Sequence, residues 1–101
     1  MAKVMFVCAA GMSTSLLVEK VNKAAKEKGL ELEVYAMGEA EARKDLTQAD
    51  VLLLGPQVRY LEGKFKEAIA GSSTKIGVVD MLSYGRMDGA AVLKQIESLL
   101  G

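Results

Sequence analysis

The chain has 101 residues, half of them hydrophobic, and 13 basic residues balance 13 acidic ones. Such a length and composition fit one compact domain, residues 1–101, and the lack of a basic excess argues against a general nucleic-acid or membrane-surface binder. There is no histidine and a single cysteine, which excludes zinc sites built on His, histidine acid–base catalysis and an internal disulfide.

The first element is an apolar run, Lys3 to Val7, that reads as a strand covered on both faces. It ends on Cys8. From Ser13 the period changes, and Leu17, Val18, Val21, Ala24 and Ala25 fall on one helical face. Ser13 or Thr14 can cap this helix, and Gly29 is placed to stop it in a left-handed turn. Leu30 to Met37 alternates, with Leu30, Leu32, Val34 and Ala36 against Glu31, Glu33, Tyr35 and Met37. Charge on one face points to a sheet edge. Gly38 breaks the run, and Glu39 to Leu46 reads as a short helix. Val51 to Leu54 is the most hydrophobic run and predicts a central strand, stopped by Gly55-Pro56-Gln57. Val58, Leu61, Phe65, Ala68 and Ile69 mark a third helix. Ile76 to Val79 predicts a fourth strand, ending at Asp80. A loop is expected from Met81 to Met87. Asp88 then caps a last helix with Val92, Leu93, Ile96, Leu99 and Leu100 on its inner face.

Strand and helix thus alternate four times, which implies an α/β fold with parallel strands joined by right-handed crossovers. With the alternating second strand at the edge, the simplest strand order is 2-1-3-4, a doubly wound sheet with helices on both faces. Strands one and three then flank the topological switch point, where open sheets of this kind bind ligands. Cys8 and Gly55-Pro56-Gln57 meet there. No segment resembles a signal peptide, and no apolar run approaches the roughly 20 residues of a membrane helix, so a cytoplasmic domain without membrane insertion is expected.

Three readings compete for Cys8. It is a buried structural thiol, a redox centre, or a phosphoryl acceptor. A thioredoxin-type centre needs a second cysteine, and position 11 is Gly11. A phosphoryl acceptor needs donors. Ala9, Ala10 and Gly11 leave backbone N–H groups unobstructed, Ser13, Thr14 and Ser15 add hydroxyls, and the following helix start favours a thiolate. Low-molecular-weight phosphatases carry an Arg six residues after their cysteine and an Asp-Pro acid. Here position 14 is Thr14, and the only proline follows Gly55. Without the guanidinium clamp a thiophosphate is poorly equipped for hydrolysis and well suited to being passed on.

Cys8-Ala9-Ala10-Gly11-Met12-Ser13-Thr14-Ser15-Leu16-Leu17 resembles the active-site loop of the IIB component of the bacterial phosphoenolpyruvate-dependent sugar phosphotransferase system, lactose/cellobiose family. The runs Ala49 to Gln57, Val79-Asp80, Tyr84-Gly85 and Met87-Asp88-Gly89 match that family too, so the resemblance spans nearly the whole chain. The cellobiose/diacetylchitobiose branch is the nearest in character. Ala9 departs from it, standing where that branch has a serine, which removes a hydroxyl and leaves the backbone N–H.

The resemblance implies a four-stranded parallel sheet of the low-molecular-weight tyrosine phosphatase topology. It also implies a relay. A phosphohistidine of the IIA partner transfers its phosphoryl group in line to Cys8. Cys8 then passes it to a sugar, such as the β-linked disaccharides cellobiose or chitobiose, held by the membrane permease IIC. Backbone amides of Ala9, Ala10, Gly11, Met12, Ser13, Thr14 and Ser15 hold the charge, and neither metal nor cofactor is needed. The rim around Cys8 becomes the docking surface, with Met12, Met81, Leu82, Tyr84 and Met87 as contacts or, alternatively, as core filling. Pro56 and Gln57 line the other wall. Asp80 caps or orients the adjoining loop, and Tyr35 and Tyr60 are packing or surface residues. A monomer is expected. A phosphatase of the low-molecular-weight type and a non-enzymatic regulatory domain of the same fold are the alternatives.

Overall fold

A computed structural model describes residues 2–8 and 15–101. Four parallel strands form one sheet: β1 (Ala2–Cys8), β2 (Leu32–Gly38), β3 (Val51–Leu54) and β4 (Lys75–Val78), in the order β2-β1-β3-β4. This is the expected order. β1 is central because Val4, Met5, Phe6, Val7 and Cys8 are all buried, as only a strand covered on both faces can be. β3 is buried throughout for the same reason.

The connections are α1 (Ser15–Glu27), α2 (Glu39–Ala42), α3 (Glu62–Ala68), α4 (Met81–Gly85) and α5 (Gly89–Leu100), with 3-10 segments at Leu46–Gln48 and Pro56–Leu61. Strand pleating divides the core in two. Val4 and Phe6 of β1 and Leu53 of β3 pack against Leu17, Val21 and Ala25 of α1 and Val92, Leu93 and Ile96 of α5. Met5, Val7, Leu52 and Leu54 point the other way, onto Ala42, Leu46, Val58, Leu61, Phe65 and Ile69. The helices therefore cover both faces. On the first face α5 begins against α1 so closely that a Cβ on Gly89 would lie 2.5 Å from the Lys20 carbonyl oxygen.

Several boundaries differ from the sequence expectation. The helix expected over Glu39 to Leu46 is a single turn, Glu39–Ala42, followed by the 3-10 segment. The third helix begins as the 3-10 segment Pro56–Leu61, kinked at Val58, and becomes α-helical only at Glu62. Ala68, expected on its inner face, is exposed. The loop expected from Met81 to Met87 contains α4. Asp80 starts it by accepting hydrogen bonds from the Ser83 N–H at 3.0 Å and the Ser83 hydroxyl at 3.2 Å. An apolar period could not announce a helix of five residues, because its apolar side chains at 81 and 82 face outward. Gly29, at φ +72°, ends α1 as expected, and Asp88 caps α5 through the Ala91 N–H.

Both edges of the sheet carry polar features. β2 and its neighbour present Glu33 and Lys3, paired at 3.9 Å and both half-exposed. On the β4 side, Gln95 of α5 lies along the strand end. Its Nε2 donates to the Val78 carbonyl at 2.6 Å, and its Oε1 accepts from the Asp80 N–H at 3.4 Å.

Candidate active site

Cys8 is the last residue of β1 and is 1% exposed. Its two lateral neighbours are glycines. On β2, Gly38 is its register partner. On β3, Val7 pairs with Leu54, which puts Gly55 beside Cys8, and the Gly55 N–H donates to the Val7 carbonyl at 2.9 Å. The thiol thus sits at the C-terminal edge of the sheet, on the strand between β2 and β3, with glycines level with it on both neighbouring strands. Alternation along β1 turns Cys8 to the same face as Val4 and Phe6, the face covered by α1 and α5. The crossover from β1 returns α1 antiparallel to the strand, so the end of α1 at Ser15 lies at this edge of the sheet. That end carries the positive pole of the helix dipole.

The expected site residues divide into two groups. Ala9, Ala10, Gly11, Met12, Ser13 and Thr14 lie outside the described residues. Ser15 opens α1 and is exposed. Pro56 and Gln57 follow directly from Gly55 and begin the 3-10 segment. Met81 and Tyr84 lie on α4, and Pro56, Gln57, Met81, Tyr84 and Gly85 together line one shallow, mainly apolar pocket. Residues that follow β3 and β4 thus share one pocket.

Met81 and Leu82 are 63% and 61% exposed, so the core-filling alternative does not apply to them. Tyr84 and Met87 differ. Their apolar parts pack on the α1/α5 face of the core, and Met87 holds its backbone in the left-handed region at φ +53° to make the turn into α5. The Tyr84 hydroxyl stays at the rim, where it accepts a hydrogen bond from Gln57 Nε2 at 3.1 Å. Asp80 acts as the cap of α4, one of the roles expected for it.

Two features of the site were not read from the sequence. The sequence reading makes Gly38 only a strand terminator, yet it is the last residue of β2 and the register partner of Cys8. Its pairing with Cys8 depends on the register between β1 and β2, which no local pattern announces. The Gln57–Tyr84 bond joins residues 27 apart in the chain, and no local pattern announces it.

The group with a raised pKa lies away from Cys8. Tyr35 lines a groove with Lys3, Glu33, Met37, Asp45 and Gln48. Burial raises its pKa above the ordinary value of 10.0, with added repulsion from Glu33, Asp45 and Asp50. Among the described residues no cluster of three or more Cys, Asp or Glu is arranged to hold a metal ion. No described helix is long and apolar enough to cross a membrane.

Comparison with known proteins agrees with this geometry. The family model for the PTS system, lactose/cellobiose specific IIB subunit, matches residues 3–95. The oligo-beta-mannoside-specific EIIB component of Bacillus subtilis is 37% identical over 100 residues, covering 99% of this chain and 97% of its own. The cellobiose-specific EIIB component of Lactococcus lactis subsp. lactis is 41% identical over 98 residues, covering 92% and 91%. Among solved structures, the lactose-specific IIB domain from Streptococcus pneumoniae superposes with a TM-score of 0.89 at 17% identity, covering 99% of this chain and 98% of that one. At that identity the likeness shows the fold alone, and the same four-stranded order extends it to the low-molecular-weight tyrosine phosphatase type. A family match over nearly the full length, joined to a strand-end cysteine at the switch point of this sheet, places the chain in the lactose/cellobiose-specific IIB family of the sugar phosphotransferase system.

Proposed function

We propose that the chain, as one domain of residues 1–101, is a cytoplasmic phosphocarrier whose acceptor atom is Cys8 Sγ. The observation that carries this reading is the placement of the only thiol at the C-terminal end of β1, flanked by Gly38 and Gly55. A phosphoryl group bonded there lies at the C-terminal edge of the sheet, on the side where α1 begins. The helix dipole of α1 offsets part of its charge, and the backbone N–H groups of positions 9 to 15 supply donors for its oxygens.

The transfer balances simply. The Cys8 thiolate attacks the phosphorus of an IIA phosphohistidine. The P–N bond breaks, its electrons return to the imidazole nitrogen, and a P–S bond forms. In the second step a hydroxyl oxygen of a sugar held by IIC attacks the same phosphorus. The P–S bond breaks, the thiolate is regenerated and the hydroxyl proton passes to solvent. Thr14 stands where a phosphatase has its arginine, so water competes poorly with the partner. Two relatives are named as specific for oligo-beta-mannoside and cellobiose and a third for galactose, and the first two favour a β-linked sugar as the final acceptor.

The test is direct. Incubation with phosphorylated IIA should add one phosphoryl group to the Cys8 peptide, seen by mass spectrometry, and none to Cys8→Ala. Addition of membranes carrying the cognate IIC and cellobiose or chitobiose should discharge it to a sugar phosphate. A wild-type chain that gains no phosphoryl group, or a Cys8→Ala chain that still does, overturns the proposal.

A further inference from the structure

We propose that the Gln57–Tyr84 pair is a positioning device for phosphotransfer at Cys8, an inference that rests on the phosphocarrier reading and adds a role that reading does not assign. Three observations converge. First, the bond joins the two halves of the core across the C-terminal edge of the sheet. Gln57 belongs to the 3-10 segment whose Val58 and Leu61 pack on the α3 face. The Tyr84 ring packs on the α1/α5 face, the one to which Cys8 points.

Second, each end is fixed independently. Gln57 is two residues from Gly55, whose N–H is bonded to Val7 immediately before Cys8. Tyr84 N–H donates to the Asp80 carbonyl at 2.9 Å, within a helix that the Asp80 carboxylate caps. On its other side the Tyr60 hydroxyl lies 3.5 Å from Glu39 Oε1, next to Gly38, a long and exposed contact. The segment that follows Gly55 therefore has side-chain contacts near the ends of both β2 and β4.

Third, the chemistry of the bond is directional. The Tyr84 oxygen accepts from the Gln57 amide, so its own proton is turned away from Gln57. The pair is exposed, and an exposed neutral hydrogen bond adds little to folding. Its effect falls on geometry, because in-line transfer loses rate steeply when the acceptor is displaced.

Tyr84→Phe keeps the ring and deletes the hydroxyl, and Gln57→Leu deletes the amide. Single-turnover transfer from phosphorylated IIA is measured by rapid quench across IIA concentrations, for both variants and their double. Each single variant should slow the saturated rate by about tenfold, with half-saturation unchanged. The double variant should be no slower than either single, since one bond is lost in all three. Gln57→Glu, whose carboxylate can accept from the Tyr84 hydroxyl, should recover part of the rate. Saturated rates equal to wild type overturn the proposal. So does a change confined to half-saturation, which would make the pair a docking contact only. Multiplying effects in the double variant also overturn it, since they mean independent roles. If wild type itself acquires no phosphoryl group, the phosphocarrier reading fails and this inference with it. A labelled wild type with unaffected variants sinks the inference alone.

Discussion

Replacing Gly89 with alanine sets two physical effects against each other. Gly89 is the first residue of α5, and alanine is the better helix former by up to about 1 kcal/mol in a helix interior, less at a first turn. Propensity alone therefore predicts a more stable protein. Sterics predict the opposite. The new Cβ would lie 2.5 Å from the Lys20 carbonyl oxygen, 2.6 Å from its carbon and 2.8 Å from its Cβ, about 0.9 Å short of the 3.4 Å at which ordinary contact begins. The obstructing atoms are backbone in the middle of α1, between buried Leu17 and Val21, so no side-chain rotation relieves them. Either α5 moves off α1, thinning the contacts of Val92, Leu93 and Ile96, or α1 moves off the sheet. Overpacking of this kind costs about 1–3 kcal/mol. The steric effect wins, for a net loss of about 1–2 kcal/mol after the propensity gain. In a domain of this size each kcal/mol lowers the melting temperature by about 4–8 °C. Urea unfolding with an unchanged m-value is the measurement. A Gly89→Ala protein as stable as wild type would refute the reasoning, since it would mean that the two helices part at no cost.

Other outcomes follow from single contacts. Gly63→Ala, in α3 with nothing within 4 Å of the new Cβ, should stabilise by about 0.5–1 kcal/mol in the same urea titration. Thr74→Val should cost about 1–2 kcal/mol, because Thr74 is buried and its hydroxyl donates to the Ala49 carbonyl at 2.8 Å, which would be left without that donor. Tyr35 gives a pH effect. Its pKa in the native state lies above the ordinary value of 10.0, so above that pH the unfolded chain releases this proton before the native one does, and stability falls as pH rises towards the native pKa. Tyr35→Phe should flatten this alkaline limb in melts taken at increasing pH. An aryl phosphate should be turned over at a negligible rate by the wild-type chain, because Thr14 occupies the position of the phosphatase arginine; steady release of the phenol, lost in Cys8→Ala, would contradict the relay reading.

How much of this was legible in the sequence depended on what kind of signal each element carries. The strands, their order and the Cys8 position were readable because burial on two faces forces uninterrupted apolar runs, and because the charged alternation of Glu31 and Glu33 marked the edge. Gly29 and Asp88 were readable as a helix stop and a cap because their roles depend on one residue type at one position. Helix α4 was missed because the apolar residues at its start, Met81 and Leu82, face outward, which removes the periodicity that announces longer helices. The split of the third helix at Val58 was missed because an apolar face at 58, 61 and 65 is shared by 3-10 and α-helical turns alike. The site was half legible. Its proposed nucleophile is named by being the only cysteine, whereas the glycine beside it on β2 depends on a strand register that only the fold supplies. The Gln57–Tyr84 bond depends on how two loop ends meet over the sheet, which only the fold can determine.

The side chain of Gln95 has a consequence for the free edge of the sheet at β4. An edge strand offers alternating carbonyl and N–H groups to any strand that drifts alongside. Gln95 places a carboxamide against the Val78 carbonyl and the Asp80 N–H, the same donor and acceptor that a passing strand would have to engage. The amide therefore acts as a one-residue surrogate strand that terminates the sheet at β4. Fibril-like lateral growth is denied its starting contact at this end of the strand.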